Sequence, residues 1–362
     1  MNIFGLWIGF IALIIFLLLL DLGVFHRKAH IPGIRESLGW TSLWIVLAMI
    51  FNAGIYFLYE NHLFGIGHGK TFLSGMNING IEAAKMFFTG YLIEKSLSLD
   101  NIFVIGMVFS FFGVPRLYQH RVLFWGIFGA LLLRGIMILL GVTLIQMCDW
   151  ILYIFGLFLL VIAVKMLFHK GEEVHPEKNP LVKLAQRFFR ITSDYHAEHF
   201  FVKIPKETDN KSNNKSDKTL DKTADKTADK KREVSGYVWA CTPMLLVLLV
   251  VESNDLIFAI DSIPAIFAIT QDPFIVFTSN VFAILGLRSL YFVMAAMIAK
   301  FRYLQVSLSV ILAYVGVKLL CIDVIHHFHI ENIMTWISLG VIIVVMMVGV
   351  LASVYANKKS NQ

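Results

Sequence analysis

Nine apolar runs, each long enough to cross a lipid bilayer as a helix, constrain this chain more than any other feature. About 20 mostly apolar residues make one helical crossing of the hydrocarbon core. The runs cover residues 3–25, 38–59, 83–112, 122–147, 150–168, 237–269, 274–299, 304–325 and 333–356. They lack the alternation of barrel strands, and lipid offers no hydrogen-bond partners to an open backbone. The sequence therefore predicts an all-α, polytopic membrane protein with about nine transmembrane helices.

Basic residues follow every second run, and this alternation predicts the orientation of the chain. They follow the first, third, fifth, seventh and ninth runs, whereas the other side carries almost only Lys70. Examples are Arg27, Lys28, Arg116, Arg121, Lys300, Arg302, Lys358 and Lys359. Because basic connections stay in the cytoplasm, we expect the N-terminus outside and the 357–362 tail inside.

The polar segment 170–236 divides the chain into spans 1–5 (residues 1–169) and spans 6–9 (residues 237–356). It holds 15 of the 31 Lys and Arg residues and 12 of the 25 acidic residues. We expect it to be a cytoplasmic loop in which the repetitive tract 206–232 is disordered, because that tract has almost nothing apolar to bury. A protein partner could bind this loop. The net charge of +6 reflects orientation, since no basic helix or zinc spacing indicates a nucleic-acid partner.

Spans 3–5 resemble spans 6–8, which predicts an internal repeat. Three weak matches occur in the same order, at offsets of 155, 154 and 153 residues. They pair Asp100 with Asp255, Arg134 with Arg288, and Lys165 with Lys318. Because three is odd, the two copies would cross the membrane in opposite senses, as in many secondary transporters. Chance similarity between apolar helices is the alternative interpretation.

Carboxylates lie inside two of the predicted spans, where each charge costs roughly 2.5–3.5 kcal/mol or more. They are Glu94 and Asp100 in span 3, and Glu252, Asp255 and Asp261 in span 6. Breaks near Ser96, Ser98 and Pro264 would bring all five together. Carboxylate oxygens suit hard divalent cations, and the amides Asn101, Asn254 and Asn280 are possible additional ligands. The sequence thus predicts a mid-membrane metal site.

Ion pairing is the alternative interpretation of these acids. Lys95, Arg134 and Arg288 lie in the same spans and could each lock one acid in place. Charges near span ends have a simpler interpretation. We expect Asp21 to be solvated, and Lys165 and Lys318 to extend their ammonium groups to the interface.

Several segments together resemble the TerC family of integral membrane proteins, and most of all its Alx branch. They are YLIEKSLSLDNIFV, RGIMILLG, EHFFV, TPMLLVLLVVESNDLIFAIDSIPAIFAIT and DPFIVFTSNVFAILGLRSLYF. The resemblance implies a multi-pass protein of the bacterial cytoplasmic (inner) membrane, in a family named for tellurium resistance with members that export manganese. It implies functional roles for Glu94, Asp100, Glu252, Asp255 and Asp261.

The sequence and the resemblance together favour a secondary transporter that exports a divalent cation, with manganese preferred and proton exchange as a hypothesis. We expect the cation as a transported substrate, no tightly bound cofactor, and the lipid bilayer as surroundings. The alternative is a membrane scaffold or tellurium-resistance factor that acts through the cytoplasmic loop. We do not expect an enzyme, because HExxH, GxSxG and P-loop motifs are all missing from the sequence.

Overall fold

The computed structural model describes residues 3–23, 33–67, 78–148, 150–168, 187, 190–192, 199–205, 237–295, 303–328 and 331–360. Eleven α-helices and three short strands lie within these ranges. The helices are α1 (Ile3–Gly23), α2 (Ile34–Glu60), α3 (Gly80–Phe111), α4 (Arg116–Met147), α5 (Ile151–Phe168), α6 (Pro243–Phe267), α7 (Pro273–Leu285), α8 (Leu287–Ala295), α9 (Leu304–Leu320), α10 (Ile322–His327) and α11 (Glu331–Ser360). The strands are β1 (Arg190–Ile191), β2 (Phe201–Pro205) and β3 (Tyr237–Cys241).

Membrane-spanning potential can be judged for each described helix from its length and composition. Six helices qualify, namely α1, α2, α4, α5, α6 and α11, and a seventh crossing results if α7 and α8, bent by 44°, form one span. Helix α9 has only 17 residues. Helix α3 has 32 residues, but every 18-residue stretch of it contains at least three charged side chains. The structure therefore confirms a multi-spanning helical protein, while the count of nine spans stays a prediction.

Capping residues explain where two of the central helices begin. The Asn79 side chain accepts a hydrogen bond from the Glu82 amide at 2.9 Å, which starts α3. The Asp272 carboxylate accepts from the Phe274 and Ile275 amides at 2.9 and 3.2 Å, which starts α7. Asp272 is partly buried, and this burial raises the pKa of its carboxyl.

The expected breaks within α3 and α6 do not occur, and this prediction is wrong. Helix α3 continues through Ser96 and Ser98, and α6 contains Pro264 in its last turn without ending there. The bend lies instead at Gly286, between α7 and α8. Because α3 and α6 stay regular, residues on different faces of each helix remain apart.

Four helices, α3, α4, α6 and α7, form the centre of the molecule. Each of α3 and α4 packs against both α6 and α7, and the most extensive pairing joins α5 to α9. At that pairing, Gly156 and Gly316 lie so close that a Cβ on either would come within 2.9 Å of the other's carbonyl oxygen. Small residues commonly permit such close approach between membrane helices. These pairings join the two predicted repeats, whose inverted orientation stays a prediction.

The outer helix faces carry large apolar side chains in contact with the surroundings. Leu139, Leu157, Val344 and Leu351 are all more than half exposed. Such extensive apolar surface is unusual for a soluble protein and is typical of one surrounded by lipid.

A small three-stranded sheet lies directly before α6, so the chain is not purely helical as the sequence analysis expected. Strand β3 is central, with β1 parallel to it and β2 antiparallel. The Thr242 hydroxyl at the start of α6 donates to the His199 carbonyl at 2.7 Å. This bond connects the middle of the predicted loop to the start of α6. The tract 206–232 lies outside the described residues, and the proposed domain division stays a prediction.

Candidate functional site

A guanidinium group from α4 lies at the centre of the four-helix core. Arg134 is 2% exposed, and it donates to Glu94 of α3 and to Asp255 of α6. Its Nη2 lies 3.1 Å from Asp255 Oδ1, and its Nε lies 3.4 Å from Oδ2. Both carboxylates are buried, at 0% and 5% exposure. One positive charge therefore joins two negative charges away from solvent, and ion pairing accounts for these two acids.

Neutral polar groups complete the surroundings of this guanidinium. Arg134 Nη1 also donates to Ser262 Oγ at 3.2 Å and to Asn280 Oδ1 at 3.1 Å. The Asn101 side chain donates to Asp255 Oδ1 at 2.7 Å. We call the whole set the Arg134 cluster: Glu94, Asn101, Arg134, Asp255, Ser262 and Asn280. It draws on α3, α4, α6 and α7, so any relative motion of these helices changes its geometry.

Several polar atoms in and near the Arg134 cluster are buried without a hydrogen-bond partner among the described residues. In the cluster they are Glu94 Oε2, Asn101 Oδ1 and Asn280 Nδ2. Beside it they are Glu252 Oε2, Asn254 Nδ2 and Asp261 Oδ1. Each such atom costs about 1–3 kcal/mol when it leaves water unpaired. Native proteins keep few of them unsatisfied, so these atoms are the ones that a bound water or ion would satisfy.

Three of the predicted acids, Asp100, Glu252 and Asp261, lie around the cluster and are half-buried. The described residues provide no ion-pair partner for any of them. Asp261 lies within electrostatic reach of Glu94, Asp100 and Arg134. Negative charge thus exceeds positive charge in this part of the core.

Glu252 packs against α4 at a glycine, where no side chain fills the space. Its carboxylate occupies the space next to Gly129, where a Cβ would overlap its oxygens. Asp255 is close enough to interact with it electrostatically. The glycine therefore makes room for a carboxylate on the neighbouring helix.

The predicted metal site is not assembled in this conformation. Among the described residues, no three His, Cys, Asp or Glu side chains come together in a way that could hold a metal ion. Arg134 lies between Glu94 and Asp255, and the regular helices keep Asp100 and Asp261 to the side. The role of the five acids as metal ligands stays a prediction.

Two of the three amides proposed as additional ligands lie in the cluster, one hydroxyl of the cluster was not predicted, and the ligand role of the amides stays a prediction. Asn101 and Asn280 belong to the cluster, whereas Asn254 lies beside it. Ser262 was missed, although it follows Asp255 by seven residues, as Asn101 follows Glu94. Residues seven apart share one face of a helix, so this spacing was a usable signal.

A second buried arginine, Arg288 of α8, forms a separate ion pair. Its Nη2 lies 2.8 Å from Asp21 Oδ1 of α1. A cavity of about 20 Å³, enough for one water, lies beside this pair. We call the lining the Arg288 pocket: Asp21, Ser37, Trp40, Trp44, Leu285, Arg288, Ser289 and Phe292. The expectation of a solvated Asp21 is wrong, because the end of α1 packs its carboxylate onto α8.

The lysines of the spans have three different environments. Lys95 donates to the Ala283 carbonyl of α7 at 3.2 Å, so a helix carbonyl is its hydrogen-bond partner rather than one of the acids. Lys318 is buried and donates to Ser338 Oγ of α11 at 3.1 Å, so its expected extension to the interface is wrong. Lys165 is exposed, and its extension to the interface stays a prediction.

Comparisons with known proteins agree with this architecture. The sequence model of the Integral membrane protein TerC family matches residues 79–361. The "Uncharacterized membrane protein STKORF319" of Myxococcus xanthus is 45% identical over 319 residues, 88% of this chain and 84% of the relative. The "Putative membrane-bound redox modulator Alx" of Escherichia coli (strain K12) is 38% identical over 366 residues, 100% of this chain and 99% of the relative. No solved structure gives a significant match.

Proposed function

Because this chain belongs to the TerC family of integral membrane proteins, we propose that it is a secondary transporter that exports a divalent metal cation, manganese first among the candidates. The observation that carries the proposal is the excess of buried acid at the Arg134 cluster. Glu94 and Asp255 share one guanidinium, and Asp100, Glu252 and Asp261 lie around them without an ion-pair partner among the described residues. A bound divalent cation would balance that charge.

The chemistry of the cluster narrows the choice of cation. The atoms of the cluster that could bind a metal are carboxylate, amide and hydroxyl oxygens. The described part of the cluster contains no thiol or imidazole. Oxygen ligands suit manganese, magnesium and calcium better than zinc or copper. Manganese is preferred because of the family resemblance, since ligand chemistry alone admits all three.

The packing of the helices is consistent with a transporter built from two inverted repeats. Helix α3 of the first repeat packs on α7, and α6 of the second repeat packs on α4. Transporters with this plan bind substrate near the bilayer midplane, between the repeats. We propose nine crossings, with the N-terminus outside and the C-terminus in the cytoplasm. Export would then carry the cation away from the side with the basic connections.

Transport by purified protein in liposomes tests the proposal. Manganese flux should be saturable and should exceed that of magnesium, calcium, iron and zinc. Asp255→Asn should reduce it to the level of protein-free liposomes, while Asp323→Asn, at an exposed position on α10, should not. Equal flux with Asp255→Asn and the wild type would contradict the carboxylate site. Flux that is unaffected when the proton gradient collapses would contradict proton exchange.

A second candidate function is a membrane scaffold that acts through the cytoplasmic loop. The sheet favours it, because Trp239 and Phe201 are exposed there and Lys203 Nζ lies 5.0 Å from the centroid of the Trp239 ring. Aromatic and basic groups of this kind are common at protein interfaces. Deleting 206–232 should abolish function if the protein is a scaffold and should spare manganese flux if it is a transporter.

The name of the Alx relatives suggests a redox role as a third possibility to test. The three cysteines, Cys148, Cys241 and Cys321, are all free thiols. Burial raises the pKa of the Cys241 thiol, which disfavours the reactive thiolate form. Replacing all three cysteines with serine should therefore leave transport intact.

A further inference from the structure

We propose that the Arg134 guanidinium is a built-in cation that occupies the divalent-cation site, and that metal binds only when this guanidinium withdraws. The site is formed by Glu94, Asn101, Asp255, Ser262 and Asn280. This inference rests on the proposed function and assigns the substrate class and the regulation of the same site.

The atoms around the guanidinium are those that a hard cation requires. Arg134 contacts one oxygen of Glu94, both oxygens of Asp255, and one oxygen each of Ser262 and Asn280. These five oxygens come from three helices. Glu94 Oε2 and Asn101 Oδ1 are buried nearby without partners. Divalent manganese, magnesium and calcium take six to eight oxygen ligands, a number that this set can supply.

Distances explain why no metal site is recognisable while Arg134 is in place. Its contacts with Asp255, Ser262 and Asn280 span 3.1–3.4 Å. Metal–oxygen bonds are shorter, roughly 2.0–2.6 Å. These oxygens bond three different nitrogens of the guanidinium, so they are spread too widely for one ion and must draw together when a metal replaces the guanidinium.

Asp261 is the group that receives the withdrawn guanidinium. It lies on α6 next to Ser262, within electrostatic reach of Arg134. Its Oδ1 is buried without a hydrogen-bond partner. A carboxylate in this position can hold Arg134 while metal occupies Glu94 and Asp255, so the buried positive charge is never left unpaired.

The exchange gives Arg134 a role in the transport cycle. Without metal, Glu94 and Asp255 would repel each other in a dry core, and Arg134 joins them. With metal, the divalent cation takes over that task. Arg134 therefore competes with the substrate for binding, and it resets the site after release.

Manganese binding to the purified full-length protein tests this competition. The loss of the electron paramagnetic resonance signal of free Mn²⁺ reports binding. We expect Arg134→Gln to bind Mn²⁺ at least tenfold more tightly than the wild type, although its flux falls to background. Arg288→Gln, which removes an equally buried arginine, should bind like the wild type. Unchanged or weaker binding by folded Arg134→Gln would overturn the inference.

Asp261→Asn provides a second test that does not depend on the folding of Arg134→Gln. With Arg134 present, this substitution removes the receiving carboxylate and should weaken Mn²⁺ binding at least fivefold. In the double variant with Arg134→Gln, it should have no further effect. Wild-type affinity in Asp261→Asn would overturn the inference.

The two proposals fail in different ways. If the wild type, Arg134→Gln and Asp261→Asn all bind neither Mn²⁺, Mg²⁺ nor Ca²⁺, the proposed function is wrong, and this inference fails with it. If the wild type binds Mn²⁺ and loses it with Glu94→Gln, but Arg134→Gln binds no better, the function stands and only the inference fails.

Discussion

The two buried arginines come from matching positions in the predicted repeats, yet their surroundings differ. Among the described residues, Arg288 forms an ion pair with Asp21, beside a cavity large enough for about one water. Arg134 joins two carboxylates, and further acids lie around it without an ion-pair partner among the described residues. The Asp21–Arg288 pair connects α1 to α8, whereas excess acid around the Arg134 guanidinium leaves room for a second cation. Charge balance therefore separates a structural pair from a candidate transport site.

Substituting one acid of the Arg134 cluster should have the largest effect on transport. Asp255→Asn removes a charge that contacts Arg134 and lies 2.7 Å from Asn101 Nδ2. We expect manganese flux in liposomes to fall at least about a hundredfold, because a lost charged ligand costs 3 kcal/mol or more. Flux within twofold of the wild type would remove the distinction between the two arginines.

The same substitution at the Arg288 pocket should change stability instead. Asp21→Asn leaves the buried Arg288 charge without its carboxylate, which costs about 3–5 kcal/mol. We expect a clearly lower unfolding temperature in detergent, with flux per folded molecule unchanged. A large loss of flux in folded Asp21→Asn would assign this pocket to the transport route as well.

Replacing glycines near the two regions should have effects of intermediate size on flux and stability. Gly129→Ala would push a methyl group into the Glu252 carboxylate, and Gly286→Ala would approach Lys95 Nζ at 2.9 Å and Trp44 Cβ at 3.1 Å. We expect Gly129→Ala to lower flux about tenfold by displacing an acid near the site, and Gly286→Ala mainly to cost about 1–3 kcal/mol of stability. Flux and melting measured on both variants would separate these effects. Equal flux in the two would contradict a role for Glu252.

Replacing a serine in each region should give the smallest difference in flux between the Arg134 cluster and the Arg288 pocket. Ser262→Ala removes one hydrogen bond of 3.2 Å to the Arg134 guanidinium, worth about 1–1.5 kcal/mol. We expect Mn²⁺ flux to change about tenfold or less, and Ser289→Ala, in the Arg288 pocket, to leave it unchanged. Calibrated flux assays would detect the difference. A stronger effect from Ser289→Ala would reverse the assignment of the two regions.

Sequence alone located the acids but could not pair them. The position of five carboxylates within apolar runs is visible from the sequence, because a charge in lipid is costly wherever its partner lies. Which acid contacts Arg134 depends on the rotation of α3, α4 and α6 about their axes. The periodicity of the apolar residues predicts this rotation only in part. The seven-residue spacing from Asp255 to Ser262 did indicate that these two side chains share one face of α6.

The wrong predictions for Asp21, Lys318 and Pro264 have a common physical cause. Asp21 and Lys318 lie near the ends of apolar runs, where solvation is the default expectation, but neighbouring helices bury both. Pro264 suggested a break, yet α6 contains it within its last turn. Tertiary packing decided each case, and local sequence carries little information about it.

Locating bound manganese tests the central claim most directly. Crystals of the full-length protein grown with Mn²⁺ would show the ion by its anomalous scattering. We predict one peak about 2.2 Å from oxygens of both Glu94 and Asp255, with the Arg134 guanidinium moved away. A peak at the Arg288 pocket instead, or no peak with Arg134 still joining Glu94 and Asp255 at saturating Mn²⁺, would contradict it.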